Sequence, residues 1–290
     1  MLKQRILTAL VLIPLVIGAL FRLPIEPYSY TVMGILAIGA WEWARMSGVS
    51  GQLGRLGFAG FFVAVCLLIQ FTSPHYELWL VPNTWSYKTQ PWIDATVWIG
   101  ILWWLIAAFL VFSFPRSQKL WTNPYIALGM GLSALLPAWV SFVIIRSIDY
   151  VGDPLRGSVL LVGLLLIIWA ADIGAYFAGK AFGRHKLAPS VSPGKSIEGA
   201  IGGAVAACVF LPGFIYITSY VGNVFYLVLC ALLIVVVSIF GDLTESMFKR
   251  VSGIKDSSNI LPGHGGIYDR LDSLIAALPF YVILQSLVLG

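Results

Sequence analysis

Between Asp242 and Asp272 the chain concentrates nine charged side chains: Asp242, Glu245, Lys249, Arg250, Lys255, Asp256, Asp269, Arg270 and Asp272. Both signs are present, and His264 lies among them. Asp242, Glu245, Ser246 and Lys249 are spaced i, i+3, i+4 and i+7, which puts them on one face of a helix. Asp242 follows the apolar run 227–240, so it sits at or just inside a membrane boundary. An ionised group at that depth is costly unless paired or metal-bound. Asp269 and Asp272 repeat the i, i+3 spacing ahead of the last apolar run. N-capping alone would suit Asp272, because carboxylates favour a helix N-terminus. Taken together, the two groups of acids could converge on one divalent cation. Carboxylate oxygens are what Mg2+ takes, with waters and substrate phosphates completing its shell.

Between the acids runs Leu261-Pro262-Gly263-His264-Gly265-Gly266. Its glycines allow backbone N–H groups to approach an anion closely, as in phosphate-binding nests. Lys249, Arg250 and Lys255 precede the loop and Arg270 follows it, which suits a polyphosphate cradle. His264 could act as acid or base, donate to a phosphate, or simply fill the loop. A second polar cluster lies upstream. Asp172 interrupts a long apolar run, and an intramembrane acid marks a functional site by default. Lys180, Arg184, His185 and Lys186 follow, then Ser192-Pro193-Gly194-Lys195-Ser196-Ile197-Glu198-Gly199. Gly194-Lys195-Ser196 imitates the end of a P-loop, but the Gly that motif requires five positions earlier is Pro189. Lys195 reads either as a phosphate or headgroup ligand or as an ordinary loop lysine.

The elements that hold these residues follow from composition. Of 290 residues, 59% are hydrophobic and 11% charged, and mean hydropathy is +0.89. A soluble domain carries roughly 25% charged residues. The balance excludes a soluble enzyme, a disordered chain and a nucleic-acid binder of the basic-patch type, so no nucleic-acid partner is expected. It leaves an all-α, polytopic membrane protein. Nine apolar stretches of spanning length occur, at about 5–22, 27–44, 57–73, 92–114, 124–147, 158–181, 199–220, 223–243 and 273–289. Helices are expected because the bilayer offers no partner to the backbone, and the runs lack the alternation of barrel strands. The first, preceded by Lys3 and Arg5, imitates a signal peptide but lacks a small-residue cleavage site and is expected to be retained.

Residues 1–150 are expected to supply about five transmembrane helices. Residues 151–290 are expected to supply about four, with cytoplasmic motif loops at 180–198 and 244–272. With the N-terminus in the cytoplasm and the C-terminus opposite, fourteen of the eighteen Lys and Arg fall on the cytoplasmic side. Arg22, Lys88, Arg146 and Arg156 are the exceptions. Trp41, Trp43, Trp79, Trp85, Trp92, Trp98, Trp103 and Trp104 lie mostly near run ends, as an interfacial belt would. Cys66, Cys208 and Cys230 sit in apolar runs without metal-site spacing and read as packing residues.

Several stretches resemble one family. They are Ser246-Met247-Phe248-Lys249-Arg250, then Lys255-Asp256, then Leu261 through His264 to Ile267-Tyr268-Asp269-Arg270-Leu271-Asp272. This pattern resembles the signature of the CDP-diacylglycerol synthase (phosphatidate cytidylyltransferase) family. Asp172 with Ala175-Tyr176, Gly179-Lys180 and Phe182-Gly183-Arg184 is similar too, as are Ser192-Pro193, Lys195 and Glu198-Gly199. The likeness covers roughly residues 170–275, and no residue of the N-terminal half is given a function by it. It implies a reaction of CTP with phosphatidate giving CDP-diacylglycerol and pyrophosphate, with Mg2+ as cofactor and K+ as a candidate second, monovalent cation. It also implies a multi-pass protein of the inner (cytoplasmic) cell membrane, in contact with membrane lipid, with a homodimer left open.

Under this reading Asp242 and Asp269 are the leading metal ligands, with Glu245, Asp256 and Asp272 as alternatives. Lys249, Arg250 and Arg270 hold phosphates. Ser246, Lys255, Gly263, His264, Gly265 and Gly266 contact substrate, the 263–266 loop wrapping the nucleotide. Asp172 and Lys195 complete the cavity on the lipid-phosphate side. Two other readings stay open at this point. A transporter would use Asp172 and the C-terminal acids as ion-coupling sites, although the charges crowd one face of the membrane. A related CTP-using membrane enzyme is the other: a polyprenol or phytol kinase, which would release CDP instead of pyrophosphate, or a synthase acting on ether-linked archaeal lipids.

Overall fold

The computed structural model describes residues 2–72 and 91–288. Within them the apolar stretches form nine α-helices: α1 (Leu2–Arg22), α2 (Ile25–Met46), α3 (Gln52–Thr72), α4 (Pro91–Phe112), α5 (Pro124–Ser147), α6 (Arg156–Phe182), α7 (Ile197–Thr218), α8 (Val224–Ser252) and α9 (Tyr268–Val288). A 3-10 turn covers Arg116–Leu120, and a small hairpin, β1 (Lys186–Ala188) and β2 (Ser192–Ser196), links α6 to α7. The fold is all-α and polytopic. Six helices, α3 to α8, are long and apolar enough to cross a membrane. Of the other three, α1 contributes the shorter apolar helix Leu10–Arg22, α2 carries Glu26, Glu42 and Arg45, and α9 opens with Asp269, Arg270 and Asp272. Trp79, Trp85 and Lys88 lie outside the described residues.

Two stretches expected as loops are more ordered than that. Helix α8 continues through Lys249 to Ser252, so the acidic face belongs to one uninterrupted helix and the connection to α9 shortens to 253–267. The 180–198 stretch comprises the end of α6, the β1–β2 hairpin, antiparallel with Lys186 opposite Ser196 and Ala188 opposite Ser192, and the start of α7. Its last residue caps α7, the Ser196 hydroxyl accepting from the Gly199 N–H at 3.1 Å.

Helices α6 and α7 pack most closely, through small residues. A Cβ on Gly202 would lie 2.2 Å from the Ala178 Cβ, and one on Gly174 would lie 2.4 Å from the Ala206 Cβ. In lipid, where no hydrophobic force drives helices together, such close backbone approach supplies the adhesion. The tryptophans depart from the belt expected of them. Trp43, Trp103 and Trp104 are buried, while Trp92 and Trp98 are exposed. Trp43 is core because it has a polar partner inside: its Nε1 donates to the Ala127 carbonyl at 2.7 Å. Its ring lies 4.5 Å from Phe248 of α8 and 5.2 Å from Tyr268 of α9, between centroids. One N-terminal side chain thus wedges the two helices that bear the acids. The three cysteines are free, and Cys66 is buried.

Candidate active site

The acidic face of α8 looks onto the start of α9. Asp172, Asp242, Glu245, Asp256, Asp269 and Asp272 line one cavity of about 450 Å³, with Lys249 and Arg270 as its basic residues. A second cavity, also about 450 Å³, shares Asp172 and Asp242 with the first and is otherwise lined by α6, the hairpin, α7 and Ile239 of α8, including Lys180 and Lys195. The helical spacing read from the sequence therefore aims its carboxyl groups into one space.

Three of these acids, Asp242, Glu245 and Asp269, are held by named partners. Lys195 of the hairpin reaches Asp242, Nζ to Oδ2 at 2.6 Å, and the Ser246 hydroxyl donates to the Asp242 Oδ1 at 3.2 Å. Lys249 bridges two carboxyl groups, 2.8 Å from the Glu245 Oε2 and 2.7 Å from the Asp269 Oδ1. Asp269 also accepts from the Ser257 N–H at 3.0 Å, the Ser257 hydroxyl at 3.0 Å and the Gly266 N–H at 2.7 Å. Burial alone would raise the Asp269 carboxyl, but hydrogen bonding with Glu245, the Lys249 ammonium and the Gly266 N–H outweigh it and hold it below the usual carboxylate range. Asp272, ahead of the last apolar stretch, is pushed up to about 7 by burial and by the negative charge of Asp242.

This donor set suits a hard cation that keeps part of its own shell. Glu245 Oε1 is buried with no hydrogen-bond partner, and Asp272 lies in an excess of negative charge that its own protonation would otherwise relieve. Among the described residues, no three acids, histidines or cysteines close around a single point as a preformed cage. Mg2+ asks for no such cage, since one or two carboxylates plus substrate phosphates and water usually suffice.

Other expected site residues are placed differently. The Gly-rich loop is a tight turn, with Gly263 at φ 77 and Gly265 at φ 85. Its N–H groups are largely committed inside the protein: His264 and Gly265 donate to the Leu261 carbonyl at 2.9 and 3.1 Å, and Gly266 donates to Asp269. The loop positions Asp269 more directly than it offers an open nest. Arg270 at the cavity wall donates from Nε to the His264 carbonyl at 3.0 Å, and His264 Nδ1 is buried without a partner. Arg250 is exposed and ties α8 to the hairpin turn, its Nε donating to the Val191 carbonyl at 3.1 Å. Lys255 is exposed, and neither it nor Arg250 lines the two cavities.

The sequence reading missed Glu42. It is fully buried in α2, and its Oε1 accepts from the Ser258 hydroxyl. It also accepts from the Ile267 N–H at 3.0 Å and the Tyr268 N–H at 2.6 Å, capping α9 where Asp269 begins. Arg45, one turn on, donates to the Ser257 carbonyl at 2.8 Å. A Cβ on Gly266 would lie 2.0 Å from the Ser257 Oγ and 2.5 Å from the Glu42 Oε1, so only glycine fits the junction. The signal was available: Glu42 is an acid within an apolar run, the same feature that singled out Asp172.

Comparison with known proteins accords with this geometry. The cytidylyltransferase family matches residues 3–288. A protein of Pseudomonas aeruginosa named phosphatidate cytidylyltransferase is 44% identical over 285 residues, covering 98% of this chain and 97% of its own. Proteins of the same name from Haemophilus influenzae and Bacillus subtilis are 40% and 32% identical, covering 100% and 98% of each chain respectively. The likeness first seen in residues 170–275 thus extends through the N-terminal helices that carry Glu42 and Trp43, and the chain belongs to the cytidylyltransferase family.

Proposed function

We infer that this chain is a CTP-dependent nucleotidyltransferase that converts CTP and phosphatidate into CDP-diacylglycerol and pyrophosphate. The observation that carries the reading is the pair of cavities meeting at Asp172 and Asp242, with Lys195 reaching Asp242 from one and Lys249 and Arg270 lining the other. Two anionic groups can be received side by side. In the reaction a phosphate oxygen of phosphatidate bonds to the α-phosphorus of CTP, and the bond from that phosphorus to the β-phosphate oxygen breaks, releasing pyrophosphate. The attacking oxygen is already anionic, so no serine or cysteine nucleophile is needed. The difficulty is repulsion between polyanions, which positioning and charge neutralisation overcome.

Asp242 and Asp269 would hold Mg2+, with Glu245, Asp256 and Asp272 of the same cavity as alternatives. Bound there, the ion neutralises phosphate charge. Lys195 and Lys249, each paired with carboxyl groups, are the chain's own cations for incoming phosphates. Arg270 presents a guanidinium suited to phosphate. A K+ ion is a candidate for relieving the remaining acidic charge. The protein acts at the cytoplasmic face of the inner cell membrane, with nine crossings placing both motif regions on that side, and a homodimer is its proposed oligomer.

The test is turnover of labelled CTP with phosphatidate by the full chain in detergent. Label in the chloroform-soluble product, stoichiometric pyrophosphate and loss of both on chelation are expected. CDP in place of pyrophosphate would mean a kinase, and no lipid-soluble label would overturn the reading. Near-normal Mg2+-dependent turnover by both Asp242→Asn and Asp269→Asn would overturn the metal assignment.

A further inference from the structure

A third cavity, of about 280 Å³, lies against the acid-lined one and differs from it in kind. Its walls are almost wholly aliphatic and aromatic, drawn from α1, α2, α5, α6 and the start of α9. Four residues belong to both cavities: Leu165, Trp169, Arg270 and Leu274. Arg270 is the one cation of the apolar cavity, and it stands at the junction.

The outer wall is unusual in how it is fixed. Helix α1 is held near both ends. The Thr8 hydroxyl donates to the Pro262 carbonyl at 3.0 Å. At the other end the Ser158 hydroxyl donates to the Leu20 carbonyl, and Arg146 Nη2 donates to the Leu23 carbonyl at 3.1 Å. Between these anchors Leu12, Val16 and Ala19 face the cavity, and Pro14 interrupts the helix there. Proline removes a backbone hydrogen bond and weakens the turn around it. The wall is thus anchored near its ends and lacks a backbone hydrogen bond near its middle.

We propose that this cavity receives an acyl chain of the phosphatidate substrate, entering behind α1, with the lipid phosphate at Arg270. The proposal rests on the reading above that phosphatidate is the substrate. It places the lipid on the α1–α2–α6 side of the acids and leaves the Lys195 cavity to the nucleotide, reversing the side expected from the sequence. Charge and polarity agree: a lipid monophosphate is an anionic head on an apolar tail, and the junction offers a guanidinium at the mouth of an apolar space.

The full chain is tested in vesicles containing phosphatidate with a diazirine in its acyl chain. Photolabelling is expected at 12–19 and 161–169, and excess unlabelled phosphatidate should displace it while phosphatidylethanolamine does not. Equal displacement by both lipids would mean ordinary boundary lipid and would overturn the proposal. So would labelling centred on Tyr176 and Ala200 of the other cavity. A second arm uses Ala19→Trp, which fills the space. Its kcat/KM ratio for dioleoyl over dibutyryl phosphatidate should fall about tenfold, the worth of two buried methylenes; an unchanged ratio counts against the cavity. Should the wild type make no CDP-diacylglycerol at all, the functional reading fails, whereas the labelling map still decides where the lipid binds.

Discussion

Replacing Glu42 with alanine should cripple a site that Glu42 does not line. The side chain is fully buried and takes hydrogen bonds from the Ser258 hydroxyl and from the N–H groups of Ile267 and Tyr268. In Glu42→Ala those two N–H groups lose their acceptor, the Tyr268 one in a buried place and the Ile267 one in a partly buried place. Each buried donor left without a partner costs about 1–3 kcal/mol, so the pair costs about 4 kcal/mol. For a chain of this size that corresponds to a fall of roughly 10 °C in the unfolding midpoint. Asp269 follows Tyr268 directly, so a frayed α9 start displaces the carboxyl group that Lys249 and Gly266 hold. A displacement near 1 Å at a reacting site can cost about 100-fold in turnover. Glu42→Gln keeps one acceptor oxygen but turns an amide toward the other N–H, and should fall between the two. The assays are thermal unfolding in detergent and CTP incorporation at saturating substrates. Glu42→Ala within about 0.5 kcal/mol of the parent, the range of an inconsequential surface change, and with ordinary turnover would refute the capping argument.

Removing the Lys249 ammonium strands two carboxyl groups whose side chains are 2% and 5% exposed. Lys249→Met should therefore cost about 3–5 kcal/mol, part of which Lys249→Met/Glu245→Gln should recover in the same unfolding assay. Gly266→Ala should lower turnover by about 100-fold, because its Cβ would strike Ser257 and Glu42. Gly57→Ala, whose Cβ meets nothing within 4 Å on α3, is the matched control and should stabilise by about 0.5–1 kcal/mol.

The features readable from the sequence are those written in local spacing. Asp242, Glu245, Ser246 and Lys249 share a face because a helix repeats every 3.6 residues, and nothing distant is needed to see it. The helices likewise follow from apolar run length. What stayed hidden depends on residues far apart in the chain. Trp43 reads as a belt residue until Ala127 accepts its N–H, and Glu42 reads as a stray acid until Ser258 and Tyr268 arrive beside it. The hairpin was hidden for another reason: Ser-Pro-Gly-Lys composition speaks for a loop, and only pairing with 186–188 makes it a strand. The Gly-rich loop suggested an open anion nest because sequence shows where N–H groups can go, not which carbonyl claims them first.

The clasp between Glu42 and Tyr268 joins residues 226 positions apart, and that separation has a consequence for biosynthesis. Helix α2 leaves the ribosome early, and its buried acid must wait in the bilayer until the final helix emerges. During that interval it has none of the donors it ends with, so the acid-bearing centre cannot be assembled piecemeal. A nascent chain arrested before Ile267 would be inserted yet inert.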